Sequence, residues 1–112
     1  MAVTIYHNPK CSKSRETLKL IEDKGISPQV VEYLKTPPSA AELKDILGKL
    51  GIQARDLLRK KEAAEAGVDP AQAEDTLIAA MVAHPAVIER PIVVVGDKAR
   101  LGRPPEQVLD IL

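Results

Sequence analysis

The sequence predicts an α/β fold: a mixed four-stranded sheet flanked by helices, with a helical insertion between the second and third strands. Two observations carry this prediction. Runs rich in β-branched residues stand at 3–6 and 92–95, as is usual for strands. The chain between them holds apolar residues at helical spacing. A length of 112 residues suits one compact domain, which we expect to span residues 1–112.

The N-terminal third of the chain alternates strand, helix and strand. Residues 3–6 are predicted to form the first strand, and residues 12–24 the first helix, which Gly25 ends. Residues 28–34 are predicted to form the second strand. Pro37-Pro38 ends it, because proline cannot donate to a sheet.

An amphipathic helix follows the two prolines. Ser39 and Glu42 have the spacing of a capping box, which satisfies two backbone donors at a helix start. Gly51 marks the end of the helix. Its apolar face follows the i, i+3, i+4, i+7 pattern and consists of Leu43, Ile46, Leu47 and Leu50.

The remainder of the insertion is predicted to be helical in part. Residues 53–58 suit a short helix, and residues 62–68 are ambiguous between helix and loop. Asp69-Pro70 resembles an N-cap followed by proline at the first helical position, so a helix is predicted from there to Ala83.

The C-terminal part predicts a hairpin and a last helix. Residues 92–95 are fully apolar, as expected for a buried strand, and residues 99–102 can return antiparallel. Pro104-Pro105 opens a helix whose inward residues are predicted to be Val108, Leu109 and Leu112. The resulting order of elements is typical of a thioredoxin-like fold.

Composition and charge exclude several classes of protein. Sixteen basic and sixteen acidic residues give no net charge, whereas non-specific nucleic-acid binding needs a basic footprint. One cysteine and two histidines cannot supply an internal disulfide or a structural zinc cluster. We therefore expect no metal, no tightly bound cofactor and no nucleic-acid partner.

Hydropathy gives no sign of a membrane protein. The longest apolar stretch, residues 77–83, is far below a membrane span of roughly 20 residues. The first residues lack the basic and apolar regions of a signal peptide. We expect a cytoplasmic monomer.

Cys11 is the candidate nucleophile. It stands in the turn between the first strand and the first helix, where backbone N–H groups and the helix dipole lower the pKa of a thiol. A lone cysteine is often only a small buried apolar residue. The polar neighbours of Cys11, among them His7, Asn8 and Arg15, favour the reactive interpretation.

The residues after Cys11 limit its chemistry. Cys11-Ser-Lys-Ser14 has the spacing of a Cys-x-x-Cys redox pair, but serine replaces the second cysteine. Redox turnover therefore needs an external thiol. Thr17 stands six residues after Cys11, where a phosphatase-type loop requires arginine, so that class is excluded.

The loop His7-Asn-Pro-Lys-Cys11-Ser-Lys-Ser-Arg15 resembles the signature of the glutaredoxin-dependent arsenate reductase family. The resemblance covers nearly the whole chain. Its further motifs are Glu32-Tyr-Leu-Lys-Thr-Pro-Pro38, Leu57-Leu-Arg-Lys60, His84-Pro85, Glu89-Arg-Pro-Ile92 and Leu101-Gly-Arg-Pro104.

The resemblance implies an enzyme that reduces arsenate, with glutathione as co-substrate and glutaredoxin as partner. In it Cys11 is the nucleophile, and three arginines surround the oxyanion and its arsenic adduct. These fall on Arg59, Arg90 and Arg103. His7 is implied to favour the thiolate, and Pro91 is the candidate for the cis proline of such folds. The substrate-binding set is completed by Asn8, Ser14 and Arg15.

Each of these residues also has a simpler interpretation. His7 could be a loop histidine bonded to the backbone, and Ser14 a serine of the first helical turn. A single arginine is far more often a solvated surface charge. The resemblance departs at residues 61–69, a shorter and more alanine-rich segment that directly follows the Arg59 motif, so Arg59 is the residue whose placement it affects.

Two other functions fit the same fold. One is a transcriptional regulator that binds RNA polymerase and carries a Cys-x-x-Cys switch, which Ser14 disfavours. The other is a glutathione-dependent thiol reductase without arsenate activity.

Overall fold

The computed structural model describes residues 2–112. Its helices and strands follow the predicted order, and the predicted fold class is confirmed. They are β1 Val3–His7, α1 Ser12–Asp23, β2 Gln29–Glu32, α2 Ala40–Leu50, α3 Lys60–Glu65, α4 Glu74–Ala83, β3 Ile92–Val95 and β4 Lys98–Leu101. Short 3₁₀ segments occur at Ala54–Leu57, Pro85–Val87 and Pro105–Ile111.

The four strands form one mixed sheet in the order β2-β1-β3-β4. Strand β1 pairs parallel with β2 and antiparallel with β3, and β3 pairs antiparallel with β4. Ile5 in the central strand lies opposite Val30 on one side and Val93 on the other. The carboxyl ends of β1 and β2 therefore lie at the same edge of the sheet, with His7 opposite Glu32.

The chain groups into two compact units. The first comprises residues 2–36 and Arg90–Leu112, and it contains the sheet, α1 and the last 3₁₀ segment. The second is Pro37–Glu89, with α2, α3 and α4. That residues 1–112 form one domain stays a prediction.

Alternation along β1 links the core of the first unit to the loop that holds Cys11. Val3, Ile5 and His7 are buried, while the residues between them are partly exposed. Ile5 and Val93 are fully buried in the core, which α1 covers with Ile21. Because side chains alternate across a strand, the face that anchors β1 in this core also carries His7 inward at its end.

In the second unit α2 begins and ends as the sequence predicts. Ser39 Oγ accepts the Glu42 N–H at 3.1 Å, and Glu42 Oε1 accepts the Ser39 N–H at 3.2 Å. Gly51 ends the helix in the left-handed region, at φ 72°. Leu43, Ile46 and Leu47 are buried, whereas Leu50 in the last turn is only partly so.

One predicted helical boundary in the insertion is wrong, and the segment left ambiguous is helical in part. Helix α4 begins at Glu74 instead of near Asp69. Asp69 caps a turn, since its Oδ1 accepts the Ala71 N–H at 2.9 Å. The ambiguous segment is helical only as far as Glu65 and then turns at Gly67, where φ is 73°.

The second strand and the last helix also differ from their predictions. Strand β2 ends at Glu32, whose carbonyl accepts the N–H groups of Lys35 and Thr36 at 2.9 Å in a turn. The last segment is a 3₁₀ helix with Val108 and Ile111 buried, while Leu109 is 36% exposed. With three residues per turn, positions i and i+3 share a face, which explains the error at Leu109.

Across residues 2–112, the helices are all too short or too polar to cross a membrane.

Candidate active site

Cys11 is the N-cap residue of α1. Its N–H donates to the carbonyl of Asn8 at 3.0 Å, and its carbonyl accepts the Arg15 N–H at 3.0 Å. Its backbone is extended, with φ −95° and ψ 124°, as is usual for an N-cap. The turn thus holds the half-buried thiol at the first turn of the helix, where backbone N–H groups lack helical partners.

The surroundings of Cys11 favour its thiolate. Burial raises the pKa of the thiol, but the backbone N–H of Ser14, the guanidinium of Arg90 and the backbone N–H of Lys13 together outweigh burial. Arg90 acts through both a hydrogen bond and its charge. The pKa of Cys11 is therefore lower than that of an ordinary cysteine, and more of the nucleophilic form is present at neutral pH.

Arg90 and Arg103 both lie at the open end of the β3–β4 hairpin, since Arg90 precedes β3 and Arg103 follows β4. Within the hairpin Ile92 lies opposite Leu101, and just beyond it the Gly102 N–H donates to the Pro91 carbonyl at 3.0 Å. Arg103 Nη1 donates to the Arg90 carbonyl at 3.1 Å. The hairpin register thus brings together two arginines that are thirteen positions apart in the sequence.

Both arginines precede a cis proline. The Arg90–Pro91 and Arg103–Pro104 peptide bonds are cis. The first of these cis bonds was predicted from the sequence, and the second was not.

Gly102 is packed too closely for any side chain. A Cβ atom placed there would collide with Thr17 Oγ1 and would lie 2.7 Å from Pro91 Cγ. Thr17 is fully buried in α1, and its Oγ1 donates to the Lys13 carbonyl at 2.7 Å. The helix that begins after Cys11 and the segment that carries Arg90 and Arg103 therefore meet at Gly102.

His7 and Ser14 form a buried polar pair under the loop. His7 Nδ1 lies 2.6 Å from Ser14 Oγ, which also accepts the Asn8 N–H at 3.0 Å. Burial lowers the pKa of His7, Glu32 raises it and Arg15 lowers it, with a lowered pKa as the result. The imidazole is therefore neutral at neutral pH and works as a hydrogen-bonding group.

Asn8 and Arg15 are both engaged in holding the loop. Asn8 Oδ1 accepts the Lys10 N–H at 3.0 Å, and Arg15 Nη1 donates to the Pro9 carbonyl at 3.0 Å. Arg15 is exposed and keeps further N–H groups that can reach a ligand. The substrate-binding roles of these two residues stay predictions.

Arg59 lies in the second unit, held between two carboxylates. Its Nε donates to Glu62 Oε2 and its Nη1 to Glu89 Oε1, both at 2.8 Å. Burial lowers the pKa of Arg59, but the two carboxylates raise it and their effect is the larger. The Arg59 N–H donates to the Val87 carbonyl at 2.8 Å, so the backbone is fixed as well.

The structure gathers seven of the predicted site residues in the first unit, and Arg59 belongs to the second. The seven are His7, Asn8, Cys11, Ser14, Arg15, Arg90 and Arg103. The roles of the Glu62 and Glu89 carboxylates and the close packing at Gly102 were not predicted from the sequence. Only Glu62 had a signal, because residues three apart on a helix are neighbours. No group of His, Cys, Asp and Glu that could hold a metal ion occurs within residues 2–112.

Comparison with known proteins identifies the family of this chain. The model of the ArsC family matches residues 6–111. The chain belongs to the ArsC family. The family predicted from the signature loop is thereby confirmed.

Several known proteins are similar to this chain over 98% of its length or more. The arsenate reductase of Haemophilus influenzae is 52% identical, with 100% of each chain covered. The uncharacterized protein YfgD of Escherichia coli is 54% identical over 98% of this chain and 96% of its own. The solved structure of the arsenate reductase from Vibrio cholerae is 56% identical, covers 100% of this chain and 98% of its own, and superposes with a TM-score of 0.92.

Proposed function

We propose that this ArsC-family protein is an arsenate reductase in which Cys11 is the nucleophile. One observation supports this most strongly: the guanidinium of Arg90 hydrogen-bonds the Cys11 thiol and lowers its pKa, while the Arg90 carbonyl holds Arg103. These contacts support a site in the first unit in which Cys11 lies beside two arginines that we assign to anion binding. Full-length relatives named arsenate reductases support the same activity.

The residues suit a tetrahedral oxyanion. Arsenate carries multiple negative charge, and arginine pairs its planar fork with two oxygens without losing its own charge. Arg90, Arg103 and Arg15 are the donors we assign from the first unit, together with N–H groups at the start of α1. The resemblance adds Arg59 to this set, and we carry its role over as part of the proposal.

The first chemical step joins sulfur to arsenic. The Cys11 thiolate attacks arsenic, an As–O bond breaks, and the oxygen leaves as water after taking up protons. The oxidation state of arsenic does not change in this exchange of ligands. Arginines that bind the adduct more tightly than free arsenate accelerate the step.

The next steps deliver the electrons. Glutathione replaces a second oxygen, which also leaves as water, and forms an As–S bond. A glutaredoxin thiolate then attacks the glutathione sulfur, and the electron pair of that As–S bond reduces arsenic from the +5 to the +3 state. Water releases arsenite and restores Cys11. Because Ser14 replaces the second cysteine, external thiols are required, and this suits the reducing cytoplasm.

The test is arsenate-dependent NADPH oxidation coupled through glutathione, glutathione reductase and glutaredoxin. Wild-type protein should be active and Cys11→Ser inactive, because a serine hydroxyl stays protonated at neutral pH. Circular dichroism checks that the variant is folded. Activity of Cys11→Ser close to wild type would refute the proposal, and reduction of disulfides without reduction of arsenate would favour a thiol reductase.

A further inference from the structure

We infer that the cavity between the Cys11 loop and the end of β2 binds glutathione through its γ-glutamyl end. This inference rests on the proposed function and gives its thiol co-substrate a location. The cavity has a volume of about 180 Å³. Asn8, Pro9 and Lys10 line it from the loop, and Glu32, Leu34 and Lys35 line it from the end of β2.

The position of the cavity follows from the parallel pairing of β1 and β2. Both strands end at the same edge of the sheet, with His7 opposite Glu32. The loop that leaves β1 lines the cavity and then supplies the turn in which Asn8 accepts the Cys11 N–H at 3.0 Å. A ligand in the cavity is therefore next to the turn that presents the nucleophile.

Charge in the cavity matches the two ionised groups of a γ-glutamyl end. That end carries a carboxylate and an ammonium group on one carbon atom. The cavity offers the complementary pair, Lys35 and Glu32, whose Nζ and Oε1 are 3.6 Å apart. With Lys35 79% exposed in its side chain, this ion pair contributes little, and a zwitterionic ligand can replace it with two pairings.

Lys10 and Leu34 supply the remaining recognition. No ion pair of Lys10 occurs within residues 2–112. Its exposed ammonium group can bind the carboxylate of the γ-glutamyl end together with Lys35. Leu34 is a large apolar side chain that is 44% exposed. With Pro9 it forms an apolar wall for the methylene groups of the γ-glutamyl side chain.

The size of the cavity limits what it can hold. Pockets that enclose a drug-sized ligand measure about 300–1,000 Å³, so this one takes only part of a tripeptide. With the γ-glutamyl end bound, the cysteinyl thiol extends toward the Cys11 adduct. It forms its bond to arsenic there, and the displaced oxygen leaves as water with no change in the oxidation state of arsenic.

Binding is measured by nuclear magnetic resonance with S-methylglutathione, which cannot react with arsenic or with Cys11. We expect saturable shifts of the Lys10, Leu34 and Lys35 amide signals. S-Methyl-γ-glutamylcysteine should bind like the tripeptide, and S-methylcysteinylglycine should not. Shifts elsewhere, no saturable shifts, or equal binding of the two dipeptides would overturn the inference.

Two charge variants with matched controls test the same site. Lys35→Glu places a carboxylate where the ligand carboxylate binds, and Leu34→Glu places one in the apolar wall beside it. We expect each variant to weaken the binding of S-methylglutathione about threefold or more. Val30→Glu and Lys24→Glu are the controls, since Val30 is 45% exposed, Lys24 is exposed and neither lines the cavity. Equal weakening by variants and controls would overturn the inference.

Kinetics separate this inference from the proposed function. Leu34→Glu and Lys35→Glu should raise KM for glutathione at least threefold and leave KM for arsenate and the alkylation rate of Cys11 unchanged. If S-methylglutathione binds in the cavity but arsenate is not reduced, the proposed function fails and the glutathione site stands. If arsenate is reduced and KM for glutathione is the same in variants and controls, the glutathione site fails alone.

Discussion

At Cys11 the dominant physical question is how a half-buried thiol can favour its anion. Burial opposes the charge, and two backbone N–H groups together with the Arg90 guanidinium overcome it. Only part of this was predictable from sequence. The helix start after Cys11 could be recognised from local pattern, whereas the contact with Arg90 depends on the pairing of β3 with β1, in which Ile92 lies opposite Tyr6.

Arg90→Ala should raise the pKa of Cys11, because it removes a hydrogen bond and a positive charge from the thiolate. A lowered pKa keeps the thiolate at lower pH, so the pH–rate profile of Cys11 alkylation should move to higher pH in the variant. The stabilisation of the fold by the thiolate, present above the ordinary pKa of cysteine and lost as pH falls, should diminish. We expect about a tenfold or greater loss of kcat/KM for arsenate.

Lys13→Ala is the matched control for this prediction. Lys13 lowers the pKa of Cys11 through its backbone N–H, which alanine retains, and its side chain makes an exposed ion pair with Glu16 at 3.8 Å. An alkylation profile of Arg90→Ala that coincides with those of Lys13→Ala and wild type would contradict the role of Arg90.

The role that the resemblance implies for His7 has to be consistent with the lowered pKa of its imidazole. The resemblance implies that His7 favours the thiolate, yet its lowered pKa makes it neutral at neutral pH. A neutral imidazole cannot act by charge. It can act through Ser14, whose hydroxyl it contacts at 2.6 Å and whose backbone N–H lowers the pKa of Cys11.

Among the elements, the meeting of α1 with the hairpin depends on one glycine. Helix α1 and strands β3 and β4 were predicted from periodicity and turn residues, and their predicted order is confirmed. The fit of Gly102 between Thr17 and Pro91, with no room for a methyl group, was not predicted. Such a contact joins residues that are far apart in the chain, so local sequence patterns cannot predict it.

Gly102→Ala should destabilise the protein by about 1–3 kcal/mol, the usual cost of overpacking. The added methyl group would displace Pro91 or Thr17, and with Pro91 would move Arg90. We therefore expect kcat/KM for arsenate to fall as well, with a raised pKa of Cys11. Urea unfolding, the coupled assay and the alkylation profile measure these three effects.

Gly48→Ala is the matched control for Gly102→Ala. Gly48 is an exposed residue of α2, and nothing lies within 4 Å of an added Cβ atom. Alanine there should stabilise the helix by about 0.5–1 kcal/mol and leave activity unchanged. If Gly102→Ala were as stable and active as Gly48→Ala, close packing at Gly102 would not position the site.

At the scale of the whole molecule, the family and the order of the elements were predictable from the sequence, whereas several ends of elements were not. The errors lie where a polar side chain or a tighter helix overrides a local rule. Asp69 caps a turn instead of α4, and the last segment follows three residues per turn, which exposes Leu109. The alanine-rich segment after Arg59 is helical as far as Glu65 and contributes Glu62, whose carboxylate holds the arginine that the unusual length of this segment had put in question.

Arg59 is the arginine whose role most needs a test, because its contacts within the second unit are structural. Two carboxylates hold its guanidinium, and with its side chain only 22% exposed this network itself stabilises the fold. Arg59→Ala should therefore lower the free energy of unfolding. If Arg59 also binds the anion or its adduct, the variant should lose a charge-assisted hydrogen bond of roughly 1.5–3 kcal/mol. That corresponds to about a ten- to hundredfold loss of kcat/KM for arsenate.

The two effects are separable because activity can be normalised to the folded fraction found by urea unfolding. Arg59→Lys should recover only part of the activity, since lysine keeps the charge and lacks the planar fork. Arg55→Ala changes an exposed position of the preceding 3₁₀ segment. It should leave the free energy of unfolding almost unchanged and change kcat/KM for arsenate by less than about twofold. Normalised activity of Arg59→Ala equal to that of Arg55→Ala, together with reduced stability, would make Arg59 a structural residue. Anion binding would then depend on Arg90 and Arg103 with the start of α1.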